Sequence, residues 1–371
     1  MQKLDVTVVG GGLVGASIAW GLARSGMRPL VLDGADLDFR ASRANFALVW
    51  VQGKGLHAPN YALWSHKSAK IWPMMAEALS EDSGIDVGLI QQGAFTFALS
   101  DEELESTRAD MECIAAETDG RAPAFEVLNK SQTRHRVPQV GPDVVGSVYS
   151  PADGHVNALR LFHGLHVAMR RRRLQYRPNH KVNAIQPVAD GFVLQGDGFS
   201  ILSHKIVLAA GLDNERLAPM VGLACPLKRS KGQVLVTEKC KPFVSCLSAT
   251  IRQTDEGGVM IGDSDETDNA HIASSSDISA VLASRAIRIF PDLENLYVVR
   301  SWTGLRVKTA DGMPIYDHST RHPGAFLVTA HSGVTLAANH SLIVAPQIAT
   351  SKLDEDLSSF SARRFHVQQT E

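Results

Sequence analysis

Apolar positions fall in short blocks whose period switches repeatedly along the chain. Val6-Thr7-Val8-Val9 reads as an apolar strand, Gly10 to Gly15 as a turn, and the residues that follow as a helix. A second apolar strand covers 29–32 and ends at Asp33. Residues 61–82 read as a helix, 92–99 as a strand with alternating faces, and 101–118 as a polar, acidic helix. After a turn-rich segment at 149–155, a helix is predicted over 158–173 and strands over 181–188 and 201–209. From 226 to 303 strands dominate, at 233–238, 245–253, 258–263 and 296–303, with one helix over 276–290 between them. A strand at 326–330, a turn at His331-Ser332-Gly333 and a helix over 334–348, apart from Pro346, follow. No internal repeat or low-complexity linker breaks the alternation, so an α/β fold is expected, with an antiparallel sheet inserted into a doubly wound domain. The doubly wound domain is then discontinuous, at 1–87, 140–222 and 301–371, and 88–139 with 223–300 form the substrate domain.

The first block carries chemistry. Gly10-Gly11-Gly12-Leu13-Val14-Gly15 is a GxGxxG turn between a strand and a helix, and Asp33 lies 18 residues past its last glycine. In such a turn Gly10 permits the tight bend, Gly12 lets main-chain amides approach a pyrophosphate, and Gly15 lets the helix lie close on the strand. The helix N-terminus then faces the diphosphate, with Leu13 and Val14 in its first turn. Asp33 can accept hydrogen bonds from ribose hydroxyls and repels a 2'-phosphate, so FAD or NAD is expected rather than a phosphorylated dinucleotide.

Composition removes other classes. The 37 Lys and Arg balance 39 Asp and Glu, so no global field draws the protein to nucleic acid or anionic lipid. No apolar stretch approaches the roughly 18 residues of a membrane helix. Cys113, Cys225, Cys240 and Cys246 have irregular spacing and no C-x-x-C, which points to a reducing compartment, the cytoplasm, and to neither a disulfide framework nor a zinc site. His163 and His166 share a helix face but lack a completing acid or cysteine, so no metal is expected. Arg170 to Arg173 read as a solvated helix end, with docking of a partner subunit as the alternative.

Two later clusters extend the picture. The run Ile206-Val207-Leu208-Ala209-Ala210-Gly211 ends a strand in small residues that let backbone come close to a dinucleotide or to the first helix. Trp302-Thr303-Gly304-Leu305-Arg306 is expected to follow a strand, with Gly304 where backbone can press on a ring and Arg306 offering its planar fork to a carboxylate. His331-Ser332-Gly333 opens a second helix N-terminus, suited to an anion such as reduced flavin.

Together the N-terminal fingerprint, Ala41-Ser42-Arg43-Ala44-Asn45, Ser150-Pro151-Ala152-Asp153-Gly154-His155-Val156-Asn157, Leu208 to Gly211, Lys231-Gly232-Gln233, the W-x-G-x-R cluster and His331 to Val334 form an ordered series. The series resembles the FAD-dependent amine and amino-acid oxidoreductases of the D-amino-acid oxidase superfamily, which includes glycine oxidase and sarcosine oxidase. Within it, the stretch from Arg40 to Gly55 looks like the family of opine oxidase B subunits, which open octopine and nopaline catabolism. The resemblance implies a discontinuous FAD-binding domain and FAD as cofactor. It implies Ser42, Arg43 and Asn45 near the diphosphate and flavin, and Val182 at the adenine end. Ala210 and Gly211 also fall to the cofactor, and Gly304 with His331, Ser332, Gly333, Val334, Thr335 and Leu336 surround the isoalloxazine. Arg306 matches the arginine that holds a substrate carboxylate, and His331 is assigned to the catalytic end. No cysteine lies near 331–336, so a covalent flavin link is not expected, and Asp33 stands where Glu is commoner.

The implied reaction is hydride transfer from a secondary-amine opine to FAD, giving an imine that water splits into arginine and a 2-oxo acid. No side-chain base is required if the amine binds deprotonated. Such a protein would belong to a hetero-oligomeric dehydrogenase whose partners carry further redox cofactors. Glycine, sarcosine, a D-amino acid or hydroxyproline is the alternative substrate, and a non-catalytic scaffold or electron relay the second alternative. Lys54, His57 and Arg252 are candidate pocket residues by their nearness to matched motifs.

Overall fold

In the computed structural model, the residues described are 4–35, 41–262, 264–266 and 273–365. Arg40 of the 40–55 stretch, Asp263 at the end of the 258–263 strand, and the outermost ends of the expected nucleotide domain lie outside them.

Strand Leu4–Val9 is central in an eight-stranded sheet, and its last four residues, 6–9, are buried there. Pro29–Leu32 and then Gln175–Arg177 lie on one side of it, and Phe199–Leu208, Ala325–Thr329 and Ile315–His318 on the other. The pairings from Gln175–Arg177 across to Ala325–Thr329 are parallel, and only Ile315–His318 joins that row antiparallel. Parallel strands are covered on both faces, which is why 29–32, 206–208 and 325–328 read as unbroken apolar runs, while the edge strand Gln175–Arg177 does not. One face packs on the helices Leu13–Arg24, Pro59–Ser83 and Ala158–Arg171, through Trp20, Trp72, Leu161 and Leu165, all fully buried. The other face meets Ile185, Phe192, Leu194, Leu217 and Val221. The antiparallel hairpin Ala184–Val188 and Gly191–Gly196 extends the sheet from Phe199–Leu208.

The second layer is antiparallel. Its four-stranded sheet runs Ile251–Gln253, Gly258–Gly262, Lys228–Lys239, Val298–Lys308. A three-stranded sheet of Ala94–Ala98, Gly146–Ser150 and Glu126–Asn129 abuts it where Phe95 N donates to Leu247 O at 2.9 Å. Phe95, Phe97, Leu235, Ile251, Val259 and Ile261 share one core with Phe290, whose ring meets Phe97 edge-on at 5.6 Å. The expected α/β fold with an antiparallel addition is the one observed.

Several boundaries differ from expectation for local reasons. The 245–253 strand shrinks to Ile251–Gln253, because the Ser248 hydroxyl closes a turn by accepting from Ile251 N at 3.0 Å and donating to Ile251 O at 2.9 Å. The W-x-G-x-R cluster lies inside strand Val298–Lys308 rather than after it, with Gly304 opposite Gly232 and Arg306 opposite Ser230. The helix expected from 334 begins at Ala337 and widens into a π turn at His340–Val344. That wider turn stands just ahead of Pro346, whose missing amide an ordinary α turn would leave as a gap.

Candidate active site: a dinucleotide cradle facing a cationic wall

Between the two layers lies a cavity of about 700 Å³, within the ~300–1,000 Å³ typical of cofactor and ligand sites. Its floor is the glycine turn. Gly10 has φ +106, and a Cβ there would stand 2.4 Å from Ala209 O. At Gly15 a Cβ would stand 1.9 Å from Gly10 O, so helix Leu13–Arg24 touches its own strand through bare backbone. Gly12 caps that helix without a side-chain bond, and no acid occupies the first turn. Its positive end therefore opens on the cavity, where Ser42 Oγ accepts from Leu13 N at 2.8 Å.

Asp33 closes one end of the cavity. Its carboxylate accepts from Gly34 N at 2.9 Å and from the Tyr176 hydroxyl at 2.7 Å, which fixes its orientation. His166 Nε2 lies 3.1 Å from Gly11 O and donates to it, so this histidine steadies the glycine loop. Val182, Ala210 and Gly211 line the same end.

The second glycine turn lines the opposite end with Ser332, Gly333, Val334 and Thr335. Trp72 Nε1 donates to Val334 O and Thr335 O at 3.1 Å each, and Ser68 Oγ donates to Thr335 O at 2.7 Å. A trans peptide directs its N–H opposite its C=O, so the amide that shares the Val334 carbonyl's peptide, that of Thr335, faces away from helix Pro59–Ser83. Gly304, Arg306 and His331 complete this end.

The wall here is cationic. Arg306 Nη1 approaches Ser230 Oγ at 3.3 Å, Lys231 O at 3.5 Å and Asp265 Oδ1 at 3.8 Å, while Asp265 is also held by Lys308 and Ser230. The Arg306 guanidinium lies on bare backbone, since a Cβ at Gly232 would stand 2.5 Å from Nη2. Behind it Lys231 pairs with Glu266 at 2.9 Å. Lys54 Nζ enters from the other side and donates to Ser332 Oγ, which is also 3.1 Å from the Tyr61 hydroxyl. His331 is open to the cavity, yet the walls around its ring strip it of bulk solvent, and Lys54, Arg306 and Lys308 repel a further positive charge. Its pKa is held below the ordinary histidine value, and the imidazole is uncharged.

The profile of the FAD dependent oxidoreductase (DAO) family matches residues 5–346. The chain belongs to this family. The members it resembles span its whole length: it is 73% identical to the opine oxidase B subunit of Agrobacterium tumefaciens (strain Ach5), with 100% of both chains covered. It is 71% identical to the opine oxidase B subunit of Rhizobium meliloti, again with 100% of both chains covered. The solved glycine oxidase of Geobacillus kaustophilus superposes with a TM-score of 0.85 at 26% identity, covering 97% of this chain and 98% of that one.

The residues present fit the family's cofactor, FAD. A cradle that any Cβ would fill, a helix N-terminus without an acid, an oriented carboxylate at one end and a second glycine turn at the other suit a dinucleotide joined to a flat ring system. No cysteine lines the cavity among the described residues.

The structure brings together in this FAD-dependent oxidoreductase Gly10, Gly12, Leu13, Val14, Asp33, Ser42, Asn45, Val182, Ala210, Gly211, Gly304, Arg306, His331 and Ser332 to Thr335 as cavity lining. Three expected residues are elsewhere. Gly15 lies behind the turn, Leu336 is fully buried in the core, and Arg43 is exposed outside the cavity. Of the three candidates named by nearness, only Lys54 reaches the cavity. Arg252 is buried behind Phe46, with Nη1 2.6 Å from His155 Nδ1 and 3.1 Å from Val156 O. Burial pulls its pKa down to about 10 and that of His155 to about 4, so His155 is a neutral acceptor. His57 is exposed and pairs with Glu117 at 3.0 Å beside Cys113, the one grouping with metal-ligand spacing among the described residues. Of the arginine run, Arg172 makes a two-pronged pair with Asp82 at 2.6 and 2.7 Å. No helix among the described residues is long and apolar enough to cross a membrane.

Lys54 owes its place to an anchor that local sequence does not display. Asp153, fully buried, accepts from Val51 N and from Gln52 Nε2 at 2.7 Å, clamping the turn that presents Lys54. Burial pushes the Asp153 carboxyl up to about 7.

Proposed function

We propose that this chain is the flavin-bearing catalytic subunit of an assembly that oxidises opines such as octopine or nopaline. The overall conversion is oxidation of the secondary amine to an imine, whose hydrolysis gives arginine and a 2-oxo acid. The observation that carries this reading is the position of Arg306 on the cavity wall, facing the same space as both glycine turns. Full-length identity to two proteins named as opine oxidase B subunits supports the substrate class and the presence of further subunits.

FAD, when bound, supplies the two-electron acceptance that C–N bond oxidation needs. Gly10, Gly12 and the N-terminus of helix Leu13–Arg24 hold its diphosphate, Asp33 its adenosine ribose, and Gly304 with Ser332 to Thr335 its ring end. Arg306 receives the substrate carboxylate in a two-pronged, charge-assisted contact and so orients the carbon beside it. His331, uncharged, offers an acceptor nitrogen to the substrate N–H and adds no repulsion against an amine. The cationic wall favours substrates that present carboxylates.

Anaerobic addition of octopine, nopaline, glycine, sarcosine and D-proline to the purified holoenzyme tests the reading. An opine is expected to bleach the oxidised flavin's visible absorbance and to release arginine. Faster bleaching by glycine or sarcosine moves the protein to simple amino-acid oxidation, and no bleaching by any of them leaves a scaffold or electron relay.

The ribose assignment is tested separately by Asp33→Asn. Charged hydrogen bonds contribute ~1.5–3 kcal/mol each, so the variant is expected to bind FAD roughly 10- to 100-fold more weakly in a calorimetric titration of apoprotein. An unchanged dissociation constant would remove Asp33 from that role.

A further inference from the structure

An N-carboxyalkyl amino acid carries a carboxylate on each side of its secondary nitrogen, whereas glycine and sarcosine carry one. If Arg306 takes the first, a pocket built for opines needs a second cation. Besides Arg306, the described cavity wall carries Arg229, Lys181 (paired with Asp213) and, bonded to the turn beside His331, Lys54. It stands half-buried on the turn after Leu48–Val49 and reaches Ser332 Oγ, a neutral partner. No carboxylate lies within ion-pair distance of Lys54 among the described residues. Its Nζ is held by the Ser332 hydroxyl and lies 5.9 Å from the centre of the Tyr61 ring, both uncharged, so its charge stays open to an anion that enters the cavity.

The turn that carries Lys54 is held firmly. Asp153 fixes Val51 and Gln52, Gln52 Nε2 also donates to Ala94 O at 3.1 Å, and Lys54 N donates to Val51 O at 3.1 Å. Asp153 is the nearby acid, but its two carboxyl oxygens are engaged by Val51 N and Gln52 Nε2, and it makes no ion pair with Lys54. Lys54 and Arg306 enter the same end of the cavity from different layers, Lys54 on Ser332 and Arg306 on the antiparallel sheet, with His331 next to Ser332. Both cations bear on His331.

We propose that Lys54 is the anchor for the second carboxylate, so that Lys54 and Arg306 together select amines flanked by two carboxylates over amines with one. This rests on the opine reading above and names its specificity residue. The substrate nitrogen then lies beside His331, and the arginine side chain of an opine is left to extend along the remaining wall.

Two probes that cannot be turned over separate the cases. Oxydiacetate presents two carboxylates across an ether oxygen in place of the nitrogen, and methoxyacetate presents one. Each is titrated into wild-type holoenzyme, Lys54→Met and Lys54→Arg, and the flavin absorbance change gives a dissociation constant. Lys54→Met is expected to weaken oxydiacetate roughly 10- to 100-fold and methoxyacetate by less than about twofold, with Lys54→Arg regaining most of the loss. Flavin content and melting temperature confirm that each variant is folded. Equal weakening of both probes, or none for oxydiacetate, overturns the proposal. Because the probes are read without turnover, the failure of octopine and nopaline to reduce wild-type flavin would sink the opine reading by a different measurement.

Discussion

Gly15→Ala is expected to purify without its yellow colour, and to bind added FAD at least about 100-fold more weakly than the wild type. A methyl group at this position would lie 1.9 Å from Gly10 O and 3.0 Å from Gly10 C, both main chain, so no rotamer change can make room. Helix Leu13–Arg24 has to rise off strand Leu4–Val9, and the amides at its N-terminus lose their aim. Overpacking a rigid contact costs about 1–3 kcal/mol, and each misdirected charge-assisted bond to a phosphate loses ~1.5–3 kcal/mol more. Gly164→Ala is the matched control. It lies inside helix Ala158–Arg171, where a Cβ would sit at ordinary distances of 3.6 Å from Leu79 Cδ2 and Ser83 Oγ. Alanine there should keep full flavin content and raise stability by about 0.5–1 kcal/mol. Flavin-to-protein absorbance ratios, FAD titrations and melting curves of the two variants decide the matter. A Gly15→Ala protein with wild-type affinity would mean that the close helix–strand contact does not shape the cradle.

That contact is legible in the sequence because everything it needs is local: an apolar strand, three spaced glycines and a helix within 20 residues. The same holds for the central parallel strands, whose double burial writes itself as an apolar run. Legibility falls where structure depends on distant pairing. Gly146–Ser150 and Glu126–Asn129 show little alternation of their own; the first becomes a strand by joining Ala94–Ala98, and the second by joining the first. Strand Gly191–Gly196 escapes the periodicity, although Asp190-Gly191 is a hairpin signal between apolar residues. The sequence marks Arg306 as a pocket residue but sets it beyond the end of a strand, since Gly304 looks like a strand terminator until its partner Gly232 is known, 72 residues away. Lys54 and Ser332 meet across 278 residues, and nothing near either residue announces the other. Nearness in sequence to a motif is a poor guide in two of three cases, His57 and Arg252, because a strand or turn sends neighbouring side chains to opposite sides.

Arg306→Ala is expected to retain FAD and lose about 100- to 10,000-fold in kcat/KM for every carboxylate-bearing substrate, from two charge-assisted bonds at ~1.5–3 kcal/mol each. The fold should survive the change. Asp265, the acid at 3.8 Å from Arg306, keeps its contacts with Lys308 and Ser230, so that carboxylate is not stranded. Lysine is a poor substitute, because a point charge on a flexible stem cannot present two parallel donors from the groove above Gly232. Arg306→Lys should therefore recover only a small part of the activity. Gly232→Ala probes the same group without removing it, since the added methyl would fall 2.5 Å from Nη2 and push the guanidinium aside. That end of a side chain is mobile, so this variant should be milder than Arg306→Ala and raise KM with little change in flavin content. The three variants separate charge, fork and placement. If Arg306→Ala keeps its flavin and a kcat/KM within about threefold of wild type, the guanidinium is only bracing Lys231 and Asp265, and the substrate carboxylate must dock elsewhere on the wall.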